Sequence, residues 1–174
     1  MIIGMRGHDF GRMEPRALAL AIREAGFEAT QLAFAKAFPA PAEQYMTPGA
    51  LSEIRSAFAG IVLPVMGCYV SASDRDPDVL AEAKARFKRS LSACVILGAG
   101  CVGTETTHFT FPESEREAAY ARLLDFTREV CAHAEQVHAL VGIEPVALHT
   151  LNTPELARRL IADVSSPNLR VILD

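Results

Sequence analysis

Along the chain, short apolar runs with β-type alternation give way repeatedly to stretches of helical periodicity, the pattern of βα units in a parallel sheet. Five complete units and the strand of a sixth can be read. The first run is Ile2 to Arg6, followed by a helix that Glu14-Pro15 opens, with Pro where its missing N–H costs nothing, and Ala25-Gly26 closes. Leu18, Ala21, Ile22 and Ala25 form its expected inward stripe. The second run, Ala29 to Phe34, leads through a Pro-punctuated loop from Lys36 to Gln44 into a helix with Thr47 as N-cap, Pro48 behind it and Gly60 at its end.

The third run, Ile61 to Val70, is apolar almost throughout, as in a strand covered on both faces, although Pro64 argues against an unbroken ladder. Ser73 to Pro77 begins a long helix through Leu97 that closes at Gly98. The fourth strand, Cys101 to Glu105, is followed by a loop holding Thr106, Thr107, His108 and Phe109, and then by a helix from about Ser114 to His138. The fifth strand runs from Leu140 to Val146, its loop carries His149, and Thr153-Pro154-Glu155 opens a helix through about Val164. Pro167-Asn168 breaks that helix, and Leu169 to Asp174 reads as a sixth strand.

Strand starts at 2, 29, 61, 101, 140 and 169 give a repeat of about 33 residues, so eight units need roughly 270, near the usual size of a closed (β/α)8 barrel. On this reading the chain is one α/β domain, a TIM barrel over residues 1–174 that ends after its sixth strand with about two βα units absent. An open six-stranded parallel sheet is the competing architecture, and its usual mark is a Gly-rich phosphate loop after the first strand. Gly4-Met5-Arg6-Gly7-His8-Asp9 is not GxGxxG, and GxxxxGK[ST] occurs nowhere, so the barrel is preferred.

Composition narrows the partners. The 17 Lys and Arg against 21 Asp and Glu give a formal charge of −4, which argues against nucleic acid or another polyanion. With 50% hydrophobic and 22% charged residues the chain can bury a core, so disorder is excluded. No stretch approaches the roughly 18 to 20 apolar residues of a membrane span, and the opening residues lack a secretory apolar core, so a soluble, cytoplasmic protein is expected. Cys68, Cys94, Cys101 and Cys131 form no CxxC pair and read as buried thiols.

In parallel α/β architectures the reactive groups collect where the strands end, because the loops converge there. At those ends stand His8 and Asp9, Gln31, Glu105 and His108, Glu144 and His149, and Asp174. Glu144 is the most informative, since a carboxylate inside Val141-Gly142-Ile143-Glu144-Pro145-Val146 is expensive to bury unless paired, protonated or bound to a cation. Asp174 terminates Val171-Ile172-Leu173 in the same manner, and carboxylates at matched heights on strands about 4.8 Å apart can share a divalent ion. Two acids alone do not complete such a site. The structural alternative for both is a cap or ion pair, and for Glu105 a loop acid capping nearby N–H groups. His133 and His138 fall on the long helix away from the strand ends and are set aside. Gln31 could donate to a sugar hydroxyl or pair with a neighbour inside the barrel.

Asp76-Pro77-Asp78-Val79, then Phe87-Lys88-Arg89, Leu97-Gly98-Ala99-Gly100 and Val102-Gly103-Thr104-Glu105-Thr106 resemble the third-helix to fourth-strand segment of the sugar phosphate isomerases/epimerases of the xylose isomerase-like TIM-barrel superfamily. Gly142-Ile143-Glu144-Pro145, His149-Thr150, Thr153-Pro154-Glu155 and Asn168-Leu169-Arg170-Val171-Ile172-Leu173-Asp174 are similar to its fifth and sixth strands. The similarity runs over essentially the whole chain, in short motifs whose order and spacing count for more than any one phrase. It implies one divalent cation, commonly manganese, magnesium, cobalt or zinc, held by Glu, Asp, His and Glu from four successive strands. Glu144 matches the first ligand and Asp174 the second, the remaining two lying beyond residue 174, so half of the family's ligand set is missing from this chain.

In such enzymes the metal polarises the carbonyl of a ketose or an enediol, and two glutamates exchange the proton. Glu144 would be ligand and acid/base together, with His8, Glu105, His108 and His149 as contacts to the sugar. A small-molecule sugar is then the partner, no nucleic acid or membrane is expected, and a homo-oligomer is left open. The same superfamily fold also resembles metal-dependent endonucleases acting at abasic DNA sites, but these need a histidine-rich mouth, and the third run ends Gly67-Cys68-Tyr69-Val70. A third reading is an inactive piece whose open strand edges pair with another copy.

Overall fold

Three of the helices start on a side chain that satisfies their first turn, and the rest of the architecture follows from what those helices cover. The Thr47 hydroxyl accepts from the Ala50 N–H (3.3 Å), the Asp76 carboxylate from Asp78 (2.9 Å) and the Thr153 hydroxyl from Leu156 (3.2 Å). The computed structural model describes residues 2–173. It contains β1 (Gly4–Arg6), β2 (Ala29–Gln31), β3 (Val65–Gly67), β4 (Cys101–Glu105), β5 (Val141–Glu144) and β6 (Leu169–Val171). Between them run α1 (Pro15–Glu24), α2 (Phe34–Ala37), α3 (Pro48–Ala57), α4 (Pro77–Leu97), α5 (Arg116–Val137) and α6 (Pro154–Val164).

All the strand pairings are parallel, β1 with β2 and then β3, β4, β5 and β6 in chain order. The seam between β2 and β3 is joined by bonds from Thr30 N–H to Val62 O (2.9 Å), Leu32 N–H to Val65 O (3.0 Å) and Gly67 N–H to Leu32 O (3.0 Å). Consecutive parallel order with a helix at each crossover is the arrangement of a (β/α) barrel wall. Val102, Val141 and Ile143 belong to one buried cluster with Phe87, Leu91, Phe126 and Val130 of α4 and α5. Strand alternation then turns Gly103 and Glu105 of β4, and Gly142 and Glu144 of β5, to the opposite, inner face.

The inner face is floored by an apolar side chain. A Cβ on Gly103 would stand 2.7 Å, and one on Gly142 2.8 Å, from Ile172 Cδ1, so the two glycines leave the space that Ile172 fills.

Several expected boundaries shift for identifiable reasons. The third strand is not Ile61 to Val70 but Val65–Gly67, because Pro64 has no N–H for the ladder; its carbonyl still accepts from Cys101 N–H (3.2 Å). The first strand loses Ile2 and Ile3, both exposed. The second stops at Gln31, and Phe34 instead starts a short helical turn that stacks its ring 4.9 Å from Phe38. The stripe of α1 is Leu18, Ala19 and Ile22, with Ala25 exposed at its end. The fourth strand and the N-caps Thr47 and Thr153 lie where they were read.

Gly100 sits where a Cβ would come 2.6 Å from the Pro64 carbonyl oxygen, a backbone atom that has no rotamer to retreat into. Gly100→Ala is therefore expected to lower unfolding free energy by about 1–3 kcal/mol. Gly49, in the first turn of α3 with open space around it, should tolerate the same change and gain about 0.5 kcal/mol through the unfolded chain. Urea titration of both variants checks the pair, and equal effects would contradict the geometry.

Candidate active site

The β4–β5 register sets Glu105 directly opposite Glu144, and both follow inner-facing glycines by two residues. Their strands lie about 4.8 Å apart, so the two half-buried carboxylates share one mouth. On β6 the register matches Ile143 with Val171, which brings Ile172 level with Glu144; Asp174 lies outside the described residues. Among the described residues, the acid level with Glu144 is Glu105. Among the described residues, no group of three or more His, Cys, Asp or Glu side chains stands as a metal ion would need.

The loops after β4 and β5 are tied into a short antiparallel ribbon. Phe109 N–H donates to Leu148 O (2.8 Å), Thr150 N–H to Thr107 O (2.9 Å) and Leu151 N–H to Thr106 Oγ1 (3.1 Å), with His108 bridged to His149. The loop after β3 joins them through Ser73 N–H to Thr107 Oγ1 and a bond between the Ser73 and Thr150 hydroxyls, both 2.7 Å. Arg116, in the first turn of α5, donates to the carbonyls of His149 (3.3 Å) and Thr150 (3.2 Å). This framework holds His149 Nε2 3.8 Å from Glu105 Oε2 and the two imidazoles edge to face at 5.6 Å. His149 Nδ1 is buried with no partner among the described residues, whereas His108 is exposed.

Tyr69, two residues beyond Gly67, continues the inner row from β3. Its hydroxyl accepts from Gln31 Nε2 (3.0 Å), and the Lys36 ammonium lies 3.6 Å from the centre of its ring. Burial, and then the charges of Glu105 and Glu144 working against the Gln31 bond, push the phenol above its ordinary range, so it stays a neutral O–H donor. His8, at the end of β1, has a buried Nδ1 with no partner among the described residues, and Asp9 pairs with Arg6 (3.0 Å). A cleft of about 750 Å3 opens beside Tyr69, Glu105 and His108 and is walled on its far side by Asp78, Glu82 and Arg86 of α4.

The inner ends of β2 to β5 thus bring Gln31, Tyr69, Glu105 and Glu144 together, with His149 behind Glu105. A family model for the xylose isomerase-like TIM barrel matches residues 19–174. The chain belongs to that family. Three solved structures share its fold. The 3-keto-D-glucoside 4-epimerase YcjR from E. coli has a TM-score of 0.82 at 17% identity, over 98% of this chain and 67% of that one. A D-psicose 3-epimerase solved in the presence of D-fructose gives 0.78 at 20%, over 98% and 62%. The IOLI protein with a bound zinc atom gives 0.80 at 19%, over 100% and 63%. This xylose isomerase-like chain therefore spans about two thirds of the length of those barrels, and at such identities the likeness is one of fold. No curated protein matches it by sequence.

His133 and His138 lie away from the mouth, His133 against Ser92 (3.4 Å) and His138 as the left-handed cap of α5 (φ 59°). The four cysteines are free thiols; burial pushes Cys94 up to about 12 and Cys131 to about 11, so neither is a nucleophile near neutrality. No helix among the described residues is long and apolar enough to cross a membrane. Tyr69, Lys36 and Arg86 were not among the candidates drawn from the sequence. Alternation from Gly67 would have flagged Tyr69, whereas nothing local distinguishes the other two.

Burial, then the Lys36 ammonium and more weakly Arg6, hold His8 below the ordinary histidine range against the opposing pull of Asp9. A lowered folded pKa means that the unfolded chain binds the extra proton first, so stability is complete above about pH 6.5 and falls as acidity passes through the folded value. Unfolding free energy is expected to drop between about pH 7.5 and about pH 5.5, and His8→Asn should drop less. Equal losses in urea titrations at the two pH values would show that His8 is not the group responsible.

Proposed function

We propose that the mouth carries out divalent-metal-dependent isomerisation or epimerisation of a sugar or sugar phosphate, by proton transfer through an enediolate. The observation that carries this reading is the level pair Glu105 and Glu144 on neighbouring strands of a xylose isomerase-like barrel, on the same inner face of the sheet. The fold neighbours that act on 3-keto-glucosides and D-psicose are epimerases, and another binds zinc, which supports the same class of chemistry.

The carboxylate oxygens suit a hard divalent ion, and level acids on adjacent strands offset their repulsion best by sharing positive charge. Glu144 would hold the cation together with Asp174 and further oxygen ligands. A bound cation polarises the substrate carbonyl and acidifies the adjacent C–H. Glu144 would take up the proton from one face of the sugar; an isomerisation returns it from the same carboxylate to the neighbouring carbon, and an epimerisation needs a second acid on the opposite face. Glu105, steadied by the His149 imidazole, lies beside it on the same face and orients the sugar hydroxyls. The Tyr69 hydroxyl accepts from Gln31 and so keeps its own proton to donate to a substrate oxygen. The apolar floor of Ile172 keeps water from beneath the carboxylates, which strengthens each of these contacts.

The phosphodiesterase alternative calls for a histidine-rich mouth, and the inner row carries Gln31, Tyr69, Glu105 and Glu144 instead. The reading predicts that the full-length gene product, given manganese and a panel of ketoses in deuterated water, exchanges a carbon-bound proton with solvent. Glu144→Gln should cut that exchange by about 10² to 10⁴-fold with an unchanged circular dichroism spectrum. Retained turnover in the variant would refute its role, and no exchange with any ketose in the parent would refute the reaction class.

A further inference from the structure

Glu105 has an imidazole beside it. His149 Nε2 lies 3.8 Å from Glu105 Oε2, and the ring is carried on the ribbon that Arg116 pins, edge to face with His108 at 5.6 Å. The Nδ1 of the same ring is buried with no partner among the described residues. Of the two neutral tautomers, the one protonated at Nε2 turns its N–H to a carboxylate and leaves only a lone pair unmatched. The other buries an N–H without an acceptor and sets a lone pair against an anion, so the surroundings select Nε2–H. At 3.8 Å the contact is longer than a hydrogen bond, and catalytic contacts of this length tighten when substrate fills the site.

The second constraint is the side from which the acids act. Glu105 and Glu144 stand level on adjacent strands and on one face of the sheet, and the Tyr69 phenol feels the charge of both. Acids placed side by side reach neighbouring atoms of one ligand, not opposite faces of the same carbon. Epimerisation and isomerisation differ on this point. Epimerisation moves a C–H proton from one face of a carbon to the other and leaves the hydroxyl protons in place. Isomerisation needs two transfers at neighbouring atoms, a C–H proton between two carbons and an O–H proton between their oxygens.

We propose that Glu105 and His149 form the hydroxyl-proton relay of a ketose–aldose isomerisation, Glu105 as a catalytic residue and His149 as the positioning residue behind it. The relay rests on the sugar reading and narrows it to isomerisation. Glu144 removes the C1 proton of the ketose, the C1–H electron pair becomes the C1=C2 bond, and the carbonyl π pair moves onto O2. Glu105 then takes the proton from O1 and delivers it to O2, which transfers the negative charge to O1. That charge re-forms a carbonyl at C1, and the C1=C2 pair takes the proton back from Glu144 at C2. Atoms and electrons balance with no oxidant or reductant. His149 donates through Nε2 to the Glu105 oxygen that is not carrying the proton, which holds the carboxylate at one angle through both transfers.

The test follows deuterium from solvent into D-fructose, D-psicose, D-tagatose and D-sorbose with the full-length gene product and manganese, and reads which carbon is labelled as well as which sugar forms. Label is expected at C1 of the ketose and at C2 of an aldose. Glu105→Gln keeps the shape of the side chain but cannot carry a proton, so it should raise the ratio of C1 exchange to aldose formation about 10²-fold. His149→Phe should raise the same ratio, and His149→Gln, whose amide keeps a donor toward Glu105, should bring it back toward the parent. Label at C3 with a C3 epimer as product would overturn the relay and leave the sugar reading standing, as would an unchanged ratio in Glu105→Gln. No label from any of the four ketoses in the parent would fall on the sugar reading and take the relay with it. A second readout needs no turnover. At about pH 8.5, above the ordinary histidine range, the imidazole 15N shifts of His149, assigned through His149→Phe, should report the Nε2–H tautomer in the parent and a mixture in Glu105→Leu. An Nδ1–H tautomer in the parent, or no change in the variant, would refute the contact on which the relay depends.

Discussion

Two carboxylates, Glu105 and Glu144, stand level on adjacent parallel strands, and the rest of the mouth is organised around that like-charge pair. At a strand spacing of about 4.8 Å, two half-buried carboxylates repel unless a cation, a proton or a donor lies between or beside them. His149 lies beside one of them at 3.8 Å, and the phenol of Tyr69 is kept protonated partly by their joint field. Below them, Gly103 and Gly142 make way for Ile172, so the charges sit above an apolar floor. A slip of one residue between β4 and β5 would turn one of the two carboxylates outward into the helix layer, and the pair would cease to exist.

Such a pair is useful only if its surroundings stay where they are, and the loops are built accordingly. The segments after β3, β4 and β5 hold one another through backbone bonds and through the hydroxyls of Ser73, Thr106, Thr107 and Thr150. Threonine and serine are suited to the task, since each adds a donor and an acceptor at little cost in side-chain entropy. Arg116 then pins the ribbon to the start of α5 through two carbonyls. The imidazole of His149 is therefore carried on a backbone-held ribbon, which keeps its Nε2 3.8 Å from Glu105 while its Nδ1 stays buried.

The parts of the fold governed by local chemistry were legible in the sequence. Thr47 and Thr153 cap as read because Ser/Thr before Pro specifies a helix start within a few residues, and Cys101 to Glu105 forms the fourth strand with the expected bounds. The third strand shrank because one missing N–H, at Pro64, outweighs an apolar run. Register is a tertiary property that spacing does not reveal: the ladder sets Glu105 level with Glu144, while Asp174, the partner suggested by matched run endings, lies outside the described residues. Tyr69 was concealed by a strand whose end had been misplaced, and Arg86 by sitting on a helix whose other charged residues are solvated.

The distribution of charge within the mouth argues further than its total. A formal charge of −4 speaks against a polyanion lying across the surface, yet it leaves open how individual cations are used. Many of the basic side chains already have protein acceptors: Arg23 and Arg55 hold backbone carbonyls, Lys84 and Lys88 hold Glu129, and Arg159 holds Glu117. Among the described residues Lys36 and Arg86 have no such acceptor, yet Arg86 also borders the cleft that Asp78, Glu82 and Glu105 line, so cation and acids share that space. One guanidinium among three carboxylates offsets only part of their mutual repulsion, and the remainder favours a ligand that brings positive charge or hydroxyl donors to the acids.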